Sequence, residues 1–526
     1  MTAVTVSGDG MRSLFELLGG SVPGALCGGA GTCGKCRVRC IGSAPAASDA
    51  EQRVLSAEEL SSGIRLACLC FPAGPVTVQT VSGSFPEYSA VVAFSGSTAC
   101  DLPGSPCPER QEEGYGIAVD LGTTTIALAL IHPGTGENAG TVSLMNSQRK
   151  LGADVLSRIE AACAGAAADL QAAAIRDLDS GIDRLIRKTG IRPSSIRQMV
   201  VAANTVMCHL LLGLPACGLG RSPFVPHSLR FEPVSFSSLA AGVSAPPALA
   251  HGTARFPVTV LPCADAFVGS DVIAGIAACG APEGPLPAVY IDLGTNAEIV
   301  LLDGKRVWCA SAAAGPAFEG AHVSCGCGSL PGAVSAVSLN GTRFAYERIP
   351  DPRGNPEQAP PGICGTGLLD FLACALDAGL VRPDGSLARV CEQSGIILDP
   401  ELPFRLTGAD VRELQLAVAA VRAGLAVLLE KAGITASEVA RVYLAGGFGF
   451  YLSGRSAVRT GLLDRAFEGK IVTPGNASLG GAVRSLCDDS LAGRIHAILD
   501  VCESVPLAAE SGFNRYFIDS MEFPNQ

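Results

Sequence analysis

At 526 residues, with 48 % apolar and 17 % charged content, the chain is too long for one ordinary domain and too apolar for a disordered one. The formal net charge of -11 speaks against nucleic acid, which asks for a basic stripe, and no run of Lys and Arg appears. The longest uncharged stretch, Met199 to Gly220, is broken by Asn204, His209 and Pro215, so it reads as a buried helix and loop and not as a membrane span.

In chain order, Met1 to Gly10 carries no basic-plus-apolar leader, so the 21 cysteines are expected to be reduced thiols of a cytoplasmic protein. Ala3 to Ser7 alternates as a strand, and Met11 to Leu18 reads as an amphipathic helical segment. The glycine-rich run Cys27-Gly-Gly-Ala-Gly-Thr-Cys33-Gly-Lys-Cys36 follows, and Arg65-Leu-Ala-Cys68 comes later. Three clustered cysteines plus a distant fourth match the plant-type 2Fe-2S ligand pattern, with one extra residue in the first gap. Glycines suit such a loop, because backbone must wrap closely around an anionic cluster with N-H groups aimed at its sulfurs. Zinc favours paired C-x2-C knuckles, and here the second pair is only the C-x-C of Cys68 and Cys70. A structural disulfide needs an oxidising compartment. Cys36 to Cys40 and Pro75 to Val81 read as further strands. Around its cysteines the segment resembles a β-grasp ferredoxin, an α+β domain whose usual first hairpin is cut here to a single strand.

Pro86, Pro103, Pro106, Pro108 and the acidic Glu109, Glu112 and Glu113 then mark linker chemistry. The division read from this is 1–82 as the 2Fe-2S domain, 83–113 as a Pro-rich acidic linker and 114–526 as a larger α/β body. That body holds an internal repeat. Tyr115-Gly-Ile-Ala-Val-Asp120-Leu-Gly122-Thr-Thr-Thr recurs as Val289-Tyr-Ile-Asp292-Leu-Gly294-Thr-Asn-Ala-Glu298, which sets halves near 114–284 and 285–526. Each copy is a buried strand, an aspartate, a tight turn and a second strand. Two such turns can close on one polyphosphate: Gly122, Thr123, Thr124, Gly294, Thr295 and Asn296 would cradle phosphate oxygens, while Asp120 and Asp292 hold Mg2+. The chain has no Walker-type motif. Ala161 to Ala174 reads as helix, and Cys325-Gly-Cys327 as buried free thiols.

The two turns resemble the phosphate loops of the superfamily of acetate and sugar kinases, heat-shock ATPases and actin, with its duplicated ribonuclease H-like fold. Val442-Tyr-Leu-Ala-Gly446-Gly447-Phe-Gly449 is similar to the adenosine motif of that group, and Pro361-Gly-Ile-Cys-Gly365-Thr366-Gly367 is a similar turn opening a helix. Longer strings narrow the resemblance. Asn146-Ser-Gln with Gly152-Ala-Asp154-Val, Ala203-Asn204-Thr-Val-Met207 with His209, Phe267-Val-Gly-Ser-Asp271, Ala314-Gly-Pro-Ala-Phe-Glu319-Gly-Ala-His322 and Met521-Glu-Phe-Pro524 resemble the reductive activators of corrinoid proteins. The resemblance implies ATP-dependent delivery of one electron from a 2Fe-2S cluster held by Cys27, Cys33, Cys36 and Cys68 to the corrinoid protein of a methyltransferase system, converting Co(II) to Co(I). It also implies an electron donor such as a ferredoxin or flavodoxin and a homodimer as a possible state; Glu298, just beyond the second phosphate turn, is a candidate for orienting the attacking water, with a strand-edge carboxylate as the alternative. His209 and His322 are expected as core histidines. The family's small middle domain is expected to be missing, with only Ser82 to Glu113 in its place. Three rivals stand beside this reading: an activator of a dehydratase or aryl-CoA reductase, a small-molecule kinase with a fused redox sensor, and a non-catalytic nucleotide-dependent binding protein.

Overall fold

Val38 and Cys40 point one way along the strand Arg37–Ile41 and its exposed residues the other, the alternation of a sheet with one buried face. The computed structural model describes residues 3–18, 22, 36–42, 45–80, 114–241, 256–350, 359–446 and 452–525. Its N-terminal sheet has the order Ala3–Ser7, Pro75–Thr80, Arg37–Ile41, Ile64–Leu66, all antiparallel, with one strand before the helix as expected. That helix is shorter than the predicted Met11 to Leu18. It runs Leu14–Leu17, because Ser13 caps it with Glu16 in a capping box and Asp9 Oδ1 takes the Met11 and Arg12 amides into a preceding turn. Under the sheet, buried Glu51 receives Arg65 Nε at 2.9 Å and Nη2 at 2.6 Å, a two-pronged pair that also accepts the Leu66 amide.

The described residues fall into two compact units. One takes in 1–89, 319–381 and 387–413, the other 90–318, 382–386 and 414–526. The second unit contains two six-stranded sheets. The first runs Glu137–Met145, Thr125–His132, Tyr115–Leu121, Ile196–Ala203, Pro257–Val260, Val234–Ser235. The other runs Ile471–Gly475, Arg441–Ala445, Ala288–Leu293, Ala297–Leu302, Val307–Ala312, Cys502–Ser504. In both, the aspartate strand pairs antiparallel with its hairpin partner on one side and parallel with a later strand on the other. The repeat read from sequence is therefore a repeat of topology, and the two halves are actin-like. Helices Ser270–Ala278 and Ala477–Cys487 share one apolar core with residues of both sheets. They cross so closely that a Cβ on Gly481 would lie 2.5 Å from Ala274 Cβ.

Three expectations are corrected. Met199 to Gly220 opens as the end of the strand Ile196–Ala203 before the helix Thr205–Leu212, because a continuous apolar run does not distinguish a buried strand from a buried helix. The helix over Ala161 to Ala174 is interrupted at Ala162–Ala166, where Gly165 adopts a φ of 107° between the helices Val155–Ala161 and Ala167–Thr189. The cysteines are not all free, since Cys163 in that interruption is bonded to Cys217. No helix among the described residues is long and apolar enough to cross a membrane.

Candidate functional site

The first hairpin puts Asp120 opposite Ala127, and the second, whose turn is one residue shorter, puts Asp292 opposite Glu298. Cross-strand partners share a face, so the second copy carries two carboxylates where the first carries one. Asp271, in the first turn of helix Ser270–Ala278, joins them. All four acids are half-buried. Burial pushes Asp292 up to about 7 with the Asp120 charge adding, and Asp271 up to about 8 with Asp292 adding and Asp120 contributing. Glu298 is raised well above the carboxylate range by burial, with Asp271 and Asp292 pushing it further. Asp120 is raised by burial, against which Asn476 and Ser478 hold it down. The structure thus brings Asp120, Asp292 and Glu298 into one electrostatic site and adds Asp271.

The donors to these acids are all neutral among the described residues. Asn476 Nδ2 donates to Asp120 Oδ2 at 2.9 Å and Ser478 Oγ to Oδ1 at 2.8 Å. Ser311 Oγ donates to Glu298 Oε1 at 3.1 Å, Tyr290 Oη to Asp292 Oδ2 at 3.4 Å, and the Val272 amide to Asp271 Oδ1 at 2.9 Å. Among the described residues no three of these acids stand close enough together to ligate one metal ion directly, so carboxylates that raise one another in this way suit a hydrated divalent cation held through its waters, whose charge would reverse the shifts.

The first turn is built from outside itself. Asn146 Nδ2 donates to Gly122 O at 2.9 Å and its backbone amide to Thr124 O at 2.9 Å. Arg158 Nη2 donates to Thr123 O at 2.6 Å, and Asn204 Nδ2 to Thr123 Oγ1 at 3.0 Å. Gly122, Thr123 and Thr124 remain half-exposed, as do Gly294, Thr295 and Asn296 of the second turn, where the Gly294 amide closes on Asn296 O at 2.9 Å. Gly446 ends the strand Arg441–Ala445 at a φ of 87°, and a Cβ there would meet Asp292 Oδ1 at 2.5 Å, so only glycine fits. Gly447 lies outside the described residues. Gly365 and Thr366 belong to the other unit, where they open the helix Gly365–Asp377. Thr366 is buried with its hydroxyl donating to Ser335 O at 2.9 Å, and Gly365 is buried beside it, so neither predicted nucleotide contact is exposed in the structure.

Of the four predicted cluster ligands, Cys27 and Cys33 lie outside the described residues. Cys36 and Cys68 are buried with their sulfurs 3.1 Å apart, so the structure brings these two predicted ligands side by side. Cys40 and Cys70 form a separate hydrogen-bonded pair whose mutual contact lowers Cys40. His209 is a core histidine, with Nδ1 2.7 Å from Thr205 O. His322 is not: it is exposed at a φ of 62°, with Nδ1 3.9 Å from Glu413.

Sequence reasoning missed Asp271, Asn476, Ser478 and Arg158. Asp271 stood inside a quoted string but received no role, and Asn476-Ala-Ser478 carried only the signal of a helix cap.

Comparison with known proteins places three family models end to end on the chain. A 2Fe-2S iron-sulfur cluster binding domain matches residues 4–73, the middle region of RACo matches 115–283, and the C-terminal domain of RACo, the ASKHA domain, matches 287–526. The middle region is therefore present as what sequence reading took for the first half of the ATPase, and residues 82–113 do not stand in for it. The corrinoid activation enzyme RamQ of Eubacterium limosum is 30 % identical over 456 residues, 82 % of this chain and 74 % of that protein. A Co(II) methylated amine-specific corrinoid protein reductase of Methanosarcina barkeri is 27 % identical over 455 residues, 78 % of this chain and 77 % of that protein. A solved reductive activator for a corrinoid, iron-sulfur protein superposes with a TM-score of 0.68 at 25 % identity, covering 99 % of this chain and 97 % of that one.

Proposed function

The chain belongs to the reductive activators of corrinoid proteins, and from that membership we propose that it uses ATP to pass one electron to a corrinoid protein, returning inactive Co(II) to the Co(I) state required for methyl transfer. The observation that carries this reading is a single chain holding both a buried sulfur pair in a ferredoxin-type domain and a four-carboxylate site between two repeated turns. The pairing has a thermodynamic reason. Co(I) lies uphill of an ordinary plant-type cluster, and a one-electron gap of about 0.2 V is on the order of 5 kcal/mol. Nucleotide binding and turnover can supply that if one conformational state engages the partner differently.

When bound, the 2Fe-2S cluster supplies a one-electron carrier and Mg-ATP the driving free energy. In this reading Cys27, Cys33, Cys36 and Cys68 hold the cluster. Asp120, Asp292 and Asp271 gather the hydrated cation, and the amides and hydroxyls of Gly122, Thr123, Thr124, Gly294, Thr295 and Asn296 receive phosphate oxygens. Gly446 and Gly447 would admit adenosine. Glu298 stands opposite Asp292 and orients water once a cation's charge lets it ionise. The division into 1–82, 83–113 and 114–526, of which 83–113 lies outside the described residues, belongs to the same reading. So do a ferredoxin or flavodoxin donor, a cytoplasmic setting and a homodimer.

The test is anaerobic. The reduced chain is mixed with a purified Co(II) corrinoid protein, and Co(I) is followed by absorbance with and without Mg-ATP. Co(I) should accumulate only with Mg-ATP, and Cys68→Ala should abolish the cluster's reduced-state EPR signal while Cys70→Ala keeps it. ATP turnover with no Co(I) would favour a kinase or a different low-potential partner.

A further inference from the structure

Arg158 is fully buried, yet every group it touches is neutral. Its Nε donates to Gly152 O at 2.9 Å, Nη1 reaches Gln148 Oε1 at 3.3 Å and Met207 Sδ at 3.2 Å, and Nη2 donates to Thr123 O at 2.6 Å. The nearby acids are spent elsewhere. Asp154 caps its helix on Ser157, and Asp177 accepts the Ser147 amide and hydroxyl, so both act on Arg158 only through space. Burial lowers the guanidinium to about 10, which leaves it charged at neutral pH. A buried cation with no carboxylate in contact is costly, and anchoring alone does not require one: Asn146 holds the preceding carbonyl, that of Gly122, with a neutral amide.

The direction of the anchored carbonyls supplies the second half of the argument. In a trans peptide the N-H lies opposite the C=O. Drawing the Gly122 and Thr123 carbonyls inward onto Asn146 and Arg158 turns the Thr123 and Thr124 amides outward, the arrangement of an anion-binding nest. A charged donor on the Thr123 carbonyl also polarises the Thr124 N-H of the same peptide.

We propose that Arg158 is a charge-supplying positioning residue of the phosphate turn: it fixes the Thr123–Thr124 peptide from behind, and its charge, which no carboxylate contacts, favours the polyphosphate that the turn receives on the other side. This rests on the reading of Gly122 to Thr124 as a phosphate turn. It assigns Arg158 a role in discriminating triphosphate from uncharged nucleoside, without contact to either.

Calorimetric titration of the full chain with adenosine, ADP and ATP in the presence of Mg2+ tests it. Arg158→Gln removes the charge. Met207→Glu places a carboxylate beside Nη1, cancelling the charge while Arg158 keeps its hold on Thr123, and it carries the test if Arg158→Gln does not fold. Both variants should weaken ATP about tenfold or more, ADP less, and leave adenosine within about threefold. Equal losses on adenosine and ATP, or an ATP preference that survives in both variants, would reduce Arg158 to an anchor. A parent chain that binds ATP no better than adenosine would instead sink the phosphate-turn reading itself.

Discussion

The Asp120 and Asp292 turns join matching strands, but among the described residues the first aspartate is held by more and closer donors than the second. Asp120 has a donor on each carboxylate oxygen, and the carbonyls behind it are pinned by Asn146 and Arg158. Asp292 has a tyrosine hydroxyl at 3.4 Å, a close glycine and a second acid directly opposite. The consequence is electrostatic. Asp120 is braced against its own desolvation, whereas Asp292 is pushed to about 7 and gains its charge most readily when a cation arrives. Duplication thus preserves the backbone frame, and the surroundings divide the labour between a preassembled turn and one completed by its ligand.

The comparison first predicts what both turns share. On the proposed reading, Asp120→Ala and Asp292→Ala should each lower ATP turnover by about a hundredfold or more, because either loss would remove a negative charge that holds the hydrated cation, with the iron-sulfur visible spectrum unchanged. Parent-like hydrolysis in either variant would remove that aspartate from the site. A smaller effect separates the turns. Asn476→Ala with Ser478→Ala strips both donors from Asp120 and should raise the Mg2+ concentration for half-maximal ATPase about tenfold, while Tyr290→Phe should shift it less than about threefold. Equal shifts would erase the distinction between the two aspartates.

The smallest effect is in pH dependence. In the cation-free protein, Asp292 and Asp271 keep protons to about 7 and about 8, whereas in the unfolded chain they release them near about 4. The folded state therefore binds more protons across that window, so stability should fall as pH rises through it. Calorimetric melting in EDTA should show Tm declining from about pH 5 to about pH 8, with Asp271→Asn flattening the upper part and Mg-ATP raising Tm most at the alkaline end. A Tm that climbs with pH over this range would contradict the raised carboxylates.

How much of this could be read beforehand follows from where each signal lives. The aspartate hairpins were legible because strand, Asp, Gly-Thr and strand are neighbours in sequence, and repetition gave them weight. Glu298 was legible through its place on the returning strand. Asn476 and Ser478 reach Asp120 across more than half of the chain, so no local pattern could show that a helix cap also orients a carboxylate. Asp271 acquires meaning only where its helix enters the shared core of the two sheets. Arg158 followed a motif that ended too early. The Cys163–Cys217 bond was hidden because counting cysteines does not give pairings. The strand Ile196–Ala203 was lost in an apolar run with no alternation to mark it.

The central claim is that nucleotide chemistry at the paired turns drives the electron from the ferredoxin domain to cobalt. The most direct measurement follows phosphate release and Co(I) absorbance together in one anaerobic mixture of reduced chain, Co(II) corrinoid protein and Mg-ATP, for the parent, Asp292→Ala and Cys68→Ala. The account predicts both signals in the parent, neither in Asp292→Ala, and phosphate without Co(I) in Cys68→Ala. Co(I) formed by Asp292→Ala as fast and as fully as by the parent would contradict it and leave a simple electron carrier with an uncoupled ATPase.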